Sequence, residues 1–121
     1  MTNAITQVRI DLAEDLTTAG FKASDHIPKR IVPPVAIISA RSPYLEAGRT
    51  YVEWSVNLVV TLIAATAENS IATNALDQLI EDALNVLDVS EVGQPYMLTA
   101  NNATYLAVDL NTTIQTTIGG N

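Results

Sequence analysis

The chain has 121 residues, a net charge of −7, no cysteine and a single histidine. This length suits one domain with its own core, and the lack of cysteine excludes a disulfide scaffold, thiolate chemistry and cysteine-ligated zinc. All six basic residues lie within residues 1–50, together with five acids, so this part has a net charge of +1. The rest of the chain carries eight acids and no base. Because the acidic part would repel phosphate groups, we expect no sequence-specific nucleic-acid binding.

No stretch of the sequence is typical of a secretory leader or of a membrane span. The first residues lack a basic region followed by a continuous apolar run. The longest apolar stretch, residues 58–65, is interrupted by Thr61, and it is far shorter than the ~20 residues that cross a bilayer. We therefore expect no membrane partner.

The first predicted element is an amphipathic helix over residues 4–19, where apolar side chains recur at helical spacing. Gly20 suits its C-terminal end. Asp11, Glu14 and Asp15 lie on the opposite face. Carboxylates can bind a metal ion, but no histidine or converging loop accompanies them, so we interpret them as a solvated helix face and expect no metal site.

A connection rich in proline and a short strand follow this helix. Residues 20–34 contain three prolines and His26, which we interpret as an ordinary residue of the connection. Two of the prolines directly precede the apolar run 35–39, and they favour an extended chain at its start. The run is consistent with a short buried strand.

A loop is predicted at residues 40–50, because Pro43 and Gly48 favour turns. Tyr44 and Leu45 are apolar residues at its tip. Either they fold back onto the sheet of their own chain, or they contact another chain. The sequence leaves both interpretations open.

Residues 51–65 are predicted as the strand around which the fold is organised. Even positions are apolar, whereas odd positions include Glu53, Ser55, Asn57 and Thr61. A period of two predicts one face toward a core and one toward water or a partner. Because the stretch is long and contains Trp54, the only tryptophan, we expect it in the middle of the sheet, with Trp54 in the core and with a bend, bulge or extension.

A second amphipathic helix is predicted over residues 71–88, followed by a turn region at 89–95. The acids assigned to this helix have no basic residue within it to offset them. Solvation explains them, and so does a contact with a basic surface.

Two strands complete the chain, at residues 96–100 and at about 104–117, with a hairpin turn at Asn101-Asn102 and a loose end at 118–121. The last strand alternates, with Leu106, Val108 and Leu110 on one face. The order α-β-β-α-β-β predicts an α+β fold in one domain, residues 1–121, with a single mixed, mostly antiparallel sheet and both helices packed on one face.

The sequence lacks the patterns that carry catalysis. It has no glycine-rich phosphate loop, no histidine cluster and no nucleophile elbow, and its paired carboxylates lie on predicted helix faces rather than in a cleft. We therefore expect a non-catalytic protein without a cofactor.

Several segments carry a resemblance to a known family. They are 33–38 (Pro-Pro-Val-Ala-Ile-Ile), Pro43-Tyr44-Leu45 with Gly48, the strand 51–62 with Trp54, Val56 and Asn57, and 105–108 (Tyr-Leu-Ala-Val). In these positions the chain resembles the tail terminator, or tail completion, proteins of long-tailed bacteriophages, in particular those infecting actinobacteria. The resemblance covers about residues 5–117.

The resemblance implies a structural virion protein that assembles as a six-membered ring. Such a ring sits on the end of the tail tube, ends its elongation and joins it to the head–tail connector or neck protein. It implies no reaction and no cofactor, with the protein at the neck end of the tail and in the host cytoplasm during assembly. The alternatives are another neck or minor tail protein of similar fold, or a small ligand-binding or regulatory α+β domain.

The split charge adds a hypothesis about how such a ring is held together. A closed ring joins unlike patches of neighbouring subunits head to tail. We expect Arg30, Arg41 or Arg49 of one subunit to meet acids on the second helix of its neighbour, and the loop with Tyr44 and Leu45 to act outside its own subunit. The acids are Asp77, Glu81, Asp82, Asp88 and Glu91.

Overall fold

The computed structural model describes residues 3–24, 35–50, 52–65, 70–100 and 103–118. Its elements are α1 (Ala4–Thr18), β1 (Lys22–Ser24), β2 (Val35–Ala47), β3 (Glu53–Ala65), α2 (Ser70–Leu84), β4 (Val89–Val92), β5 (Tyr96–Ala100) and β6 (Ala103–Thr117). The predicted α+β class and the order of the long elements are confirmed, and two short strands, β1 and β4, are added to them.

The six strands form one mixed sheet in the order β1-β2-β3-β6-β4, and β5 pairs with β6 as well. Only the pair β1–β2 is parallel, and the other pairs are antiparallel. The strand β3 lies between β2 and β6, so its predicted place in the middle of the sheet is confirmed.

The helix α1 begins and ends as its sequence predicts. The side chain of Asn3 accepts a hydrogen bond of 2.8 Å from the backbone N–H of Thr6, which caps the first turn. Gly20 takes a positive φ of 102° just after the helix, a conformation that glycine adopts without steric cost. Three residues of α1 are buried against the sheet: Val8, Leu12 and Leu16.

The main core lies between the two helices and one face of the sheet. The even residues of β3 from Val56 to Leu62 are fully buried there. They pack with Leu76 and Ala83 of α2 and with the buried residues of α1. On β6 the face predicted as apolar joins the same cluster, through Leu106, Val108 and Leu110. Both helices therefore pack on one face of the sheet, as predicted.

Trp54 is not part of this core, so that prediction is wrong. It is half-buried near the start of β3, and its neighbours across the sheet are Ala47 and Thr116. The buried cluster begins with the next even residue, Val56. Alternation fixes which face Trp54 shares with the core but does not say how far along the strand the core extends.

The region predicted as a loop at 40–50 is mostly strand. β2 continues to Ala47, with a register shift between Ala40 and Leu45. The shift surrounds Pro43, which has no N–H to donate to a ladder, and an irregular strand accommodates such a residue. Among the described residues, 48–50 and Val52 form the turn between β2 and β3. An added Cβ at Gly48 would lie 2.7 Å from the Cβ of Glu53, so this close turn requires glycine.

The second helix is shorter than predicted, and part of the turn region after it is a strand. α2 ends at Leu84, and β4 pairs with β6 through Val89 and Val92. Asp88 therefore lies in the connection and Glu91 on β4, so assigning these two acids to the helix is wrong. Pairing with β6 stabilises this strand of four residues, although its local sequence is typical of a turn.

The other face of the sheet is not uniformly polar. Val35, Ile37, Ile63, Tyr105 and Ala107 form a second, smaller buried cluster on it. Near the chain end, Ile118 donates its N–H to the backbone oxygen of Val52 at 2.8 Å, although a loose end was predicted from residue 118. The predictions for residues 25–34, which include His26 and Arg30, for the turn at 101–102 and for 119–121 lie outside the described residues.

Candidate interaction surface

A buried asparagine organises the sheet face opposite the helices. Asn57 of β3 is only 1% exposed. Its Nδ2 donates hydrogen bonds of 2.7 Å to the backbone oxygen of Pro43 and to Oε1 of Glu46. Its Oδ1 accepts from Thr113 Oγ1 at 2.8 Å and from Arg41 Nη2 at 3.3 Å. One amide thus joins β2, β3 and β6 where the ladder of β2 is irregular.

Arg41 belongs to this network rather than to a free surface. Its Nη2 also donates to Thr113 Oγ1 at 3.1 Å, and its Nε is buried without a partner. The guanidinium therefore spans β3 from β2 to β6. Arg41, one of the predicted interface bases, therefore forms its hydrogen bonds within its own chain. The sequence places Asn57 on the polar face of β3 but does not indicate that it is buried.

Tyr44 and Leu45 pack against the main core of their own chain, and both are half-buried. The guanidinium carbon of Arg9 lies 5.2 Å from the centre of the Tyr44 ring, within the range of a cation–π contact. Nη2 of Arg9 also donates a hydrogen bond to the hydroxyl of Tyr44. These contacts favour one of the two interpretations left open by the sequence: both side chains fold back onto the sheet of their own chain.

Arg49 is the predicted interface base that remains available in the described part of the chain. It lies exposed in the turn between β2 and β3. It lines a shallow depression with Glu53, Ser55 and Gln115, and no hydrogen bond or ion pair engages it among the described residues. This turn therefore presents an exposed guanidinium that no described residue pairs with, although Glu53 lines the same depression.

The predicted acids are distributed over three elements. Asp77 and Glu81 are exposed on α2, and Asp88 is exposed in the connection after it. Two others already have partners. Asp82 is half-buried and accepts from Gln78 Nε2 at 2.9 Å, and Glu91 accepts from Asn111 Nδ2 at 3.0 Å.

The free base and the free acids of α2 lie far apart along the sheet. The turn holding Arg49 adjoins the start of β3. Asp77 lines a cleft with Tyr96 and Leu106, and Leu106 pairs with Ala65 at the end of β3. The 13 residues of β3 span about 40 Å at the usual rise per residue. Each subunit thus presents unlike charge at two separated places.

A second polar contact fixes β5 against the sheet. The hydroxyl of Tyr96 donates to Asp109 Oδ1 at 2.9 Å, and Thr61 Oγ1 donates to the same oxygen at 2.8 Å. Burial, together with the hydrogen bond to the Asp109 carboxylate and its charge, raises the pKa of Tyr96 to about 12. The phenol therefore stays protonated in neutral solution and donates the hydrogen bond to Asp109.

An open groove of about 700 Å³ runs between α1 and β6 on the helix side of the sheet. Its apolar lining comes from α1, from the connection after α2 and from β6: Ala4, Val8, Leu12, Val86, Leu87 and Ile114. Asp11, Asp15 and Asp88 line it too, and no lysine or arginine is among the described residues around it. The groove is therefore apolar in part and acidic.

Among the described residues, no group of three or more histidine, aspartate or glutamate side chains is placed to hold a metal ion. No helix in this part of the chain is long and apolar enough to cross a membrane. Comparison of the chain with protein-family models and with curated proteins finds no match. Function is therefore inferred from the geometry of the surface.

Proposed function

We propose that this protein is a structural component of a bacteriophage virion that forms a ring on the end of the tail tube. The ring ends elongation of the tube and provides the surface for joining to the head. Its partners are five further copies of the chain, the tail tube protein and the head–tail connector or neck protein. The role is non-catalytic and needs no cofactor. The protein would occupy the neck end of the tail, after assembly in the host cytoplasm.

The observation that carries the proposal is the separation of free charge within one subunit. Arg49 is exposed and unengaged at the turn between β2 and β3, whereas Asp77 and Glu81 are exposed on α2. A heterologous contact needs two unlike patches on each subunit, and repeating it about a rotation axis closes a ring. Unlike charge at separated places is an arrangement suited to this contact.

The fold supports the same role. Both helices cover one face of the sheet, and the opposite face carries a polar network around Asn57 that joins β2, β3 and β6. Such networks hold strands in one geometry. A rigid sheet of this kind suits a protein whose role is to present surfaces to several partners at once, and the resemblance in the strands points in the same direction.

The proposal is tested by the mass of the assembly and by its effect on tubes. Native mass spectrometry of the purified chain should give a species of six subunits, and negative-stain electron microscopy should show rings. Added to polymerising tail tube protein, the chain should shorten the tubes and appear at one end of each. A protein that stays monomeric at all concentrations and leaves tube length unchanged would contradict the proposal.

The groove beside α1 favours a second candidate, a small ligand-binding or regulatory domain. A volume of about 700 Å³ is large enough for a small molecule, although the groove is open to solvent. In that case native mass spectrometry of protein purified from its host would show a monomer carrying a small molecule. The same measurement therefore separates the two candidates. A further neck or minor tail protein of similar fold would instead form an assembly that binds no tube end.

A further inference from the structure

No described strand pairs with the outer edge of β6 along its last residues. β4 pairs with β6 only as far as Thr112, whereas β6 continues to Thr117. Asp109 and Asn111 turn their backbone oxygens toward this edge, where they accept from Gly93 N and Ser90 Oγ. Backbone groups alternate in direction along a strand, so those of the later odd residues point outward as well. Beyond the end of β4, these are the N–H and C=O groups of Thr113, Gln115 and Thr117.

This edge lacks the features that usually prevent strand addition. Residues 112–118 contain no charge, no proline and no glycine, and all but Gln115 are β-branched. Natural proteins protect edge strands with charges, proline or bulges. The edge of β2 has such protection, because it carries Pro43 and a register shift between Ala40 and Leu45. Of these two edges, that of β6 is the one suited to pairing.

The acidic groove lies directly beside this edge. Ile114, Gln115 and Thr116 of β6 line it, and the flank of α1 forms its opposite wall. A strand added to β6 would direct every second side chain into the groove, because successive side chains point to opposite faces. Apolar side chains there would meet Val8 and Ile114. Lysine or arginine would reach the carboxylates of the wall, which the described lining residues leave unneutralised.

We infer that the edge of β6 and the adjoining groove bind an extended segment of a different protein by strand addition. The segment carries apolar and basic side chains in alternation on the side that faces the groove. Two edges of a second copy do not fit: its β6 edge offers no base, and its β2 edge is blocked by Pro43. The site goes beyond the ring contacts proposed above, and it does not require the ring to form.

The probe is a fluorescein-labelled peptide, Thr-Val-Thr-Lys-Thr-Val-Thr-Lys-Thr-Val, which places valine and lysine on one face of a strand. Fluorescence anisotropy measures its affinity for the full chain. Replacing both lysines by glutamate should weaken binding about tenfold, because attraction to the carboxylates becomes repulsion. ¹⁵N NMR spectra should show shifts of the amides of residues 113–117 on addition of the peptide, and an added strand should slow their hydrogen exchange.

Two changes test the backbone pairing itself. Gln115→Pro removes one outward N–H and should weaken binding about tenfold, since one or two hydrogen bonds are lost. The matched variant Gln115→Val also loses the amide side chain but keeps that N–H, so weaker binding by Gln115→Pro than by Gln115→Val reports the loss of the backbone bond. Methylating alternate backbone nitrogens of the peptide removes the complementary bonds, those that the peptide donates to the backbone oxygens of β6. The protein is unchanged in this experiment, so it tests the pairing even if Gln115→Pro fails to fold.

The inference is overturned if the peptide does not bind, or if methylation leaves its affinity unchanged. It is also overturned if Gln115→Pro reduces the mass of a self-assembled species, because the edge would then be covered by a second copy. Native mass spectrometry on the same samples separates this result from the proposed function. A protein that binds the peptide but forms no ring contradicts the ring alone, and a ring that binds no peptide contradicts the strand-addition site alone.

Discussion

At the scale of single residues, Asn57 determines how the polar face of the sheet is held together. Among the described residues it is the one buried asparagine, and its amide satisfies groups on both neighbouring strands. An apolar replacement would leave the part-buried partner groups of the amide without these bonds. Buried polar groups that lose a partner cost more than the bond itself was worth.

We predict that Asn57→Ala lowers the free energy of unfolding by about 2–4 kcal/mol, since several groups lose their partner at once. Urea denaturation followed by circular dichroism measures the loss. Thr113→Val is the matched control, because it removes one donor to Asn57 Oδ1 and should cost only about 1 kcal/mol. A loss below about 1 kcal/mol for Asn57→Ala would mean that water or a rearranged Arg41 replaces the amide.

Tyr96 provides a prediction for the dependence on pH. Its pKa is raised to about 12, above the value near 10 of an unfolded tyrosine. Its contribution to stability is therefore fully present below pH 10 and is lost as pH rises through about 12. An ultraviolet titration at the phenolate band should place its pKa well above that of a free phenol. Asp109→Asn removes the charge that opposes ionisation, so this variant should titrate closer to pH 10, and an unchanged titration would contradict the assigned contact.

At the scale of elements, β3 has two different halves. From Val56 to Leu62 its even residues are fully buried beneath the helices, whereas Trp54 is half-buried near its start. The same alternation thus produces a core strand at one end and a partly exposed strand at the other.

This division predicts that replacing the smaller side chain, Leu58, costs more stability than replacing the larger one, Trp54. Leu58→Ala should lower the free energy of unfolding by about 3–5 kcal/mol, because it opens a cavity in a closely packed core. Trp54→Ala removes a larger side chain but should cost only about 1–2 kcal/mol, since that side chain is incompletely buried and lies outside the main core. Chemical denaturation of both variants measures the difference. A larger loss for Trp54→Ala would show that the indole is buried, by its own chain or by a second copy.

At the scale of the whole molecule, the two free charge patches determine what kind of assembly is expected. We predict that Asp77→Lys with Glu81→Lys prevents ring formation, because the acids of α2 would then repel Arg49 of the neighbouring subunit. Surface pairs each contribute little, and they mainly orient the partners. Assembly of the wild-type chain should also weaken as salt rises from 0.1 M to 1 M, where the screening length falls from about 10 Å to about 3 Å. Light scattering across this range measures both effects.

The matched control is a charge exchange. Arg49→Glu alone should weaken assembly as the reversal on α2 does, and combining the two should restore it, since the unlike patches are then exchanged between neighbours. Rescue by the combined variant would assign the contact to these residues. If neither salt nor the single reversals change the size of the assembly, the ring is held by apolar contacts instead.

Local periodicity in the sequence predicts most of the architecture. Alternation in β3 and β6 and helical spacing in α1 and α2 place each apolar face, because burial of these faces drives folding. Those patterns predict the α+β class, the order of the long elements, the central position of β3 and the packing of both helices on one face. All four predictions are confirmed. The exposure of Asp77 and Glu81 also follows from the sequence, since no basic residue within the helix offsets them.

Tertiary contacts decided the rest, because they depend on partners distant in the sequence. Pairing with β3 extends β2 through the predicted loop, and pairing with β6 creates β4 from residues that resemble a turn. The burial of Asn57 and the commitment of Arg41 to its own chain depend on contacts across three strands, and so does the free edge beside the groove. Which base is available and which edge is open cannot be read from local pattern, since each depends on how far a neighbouring strand extends.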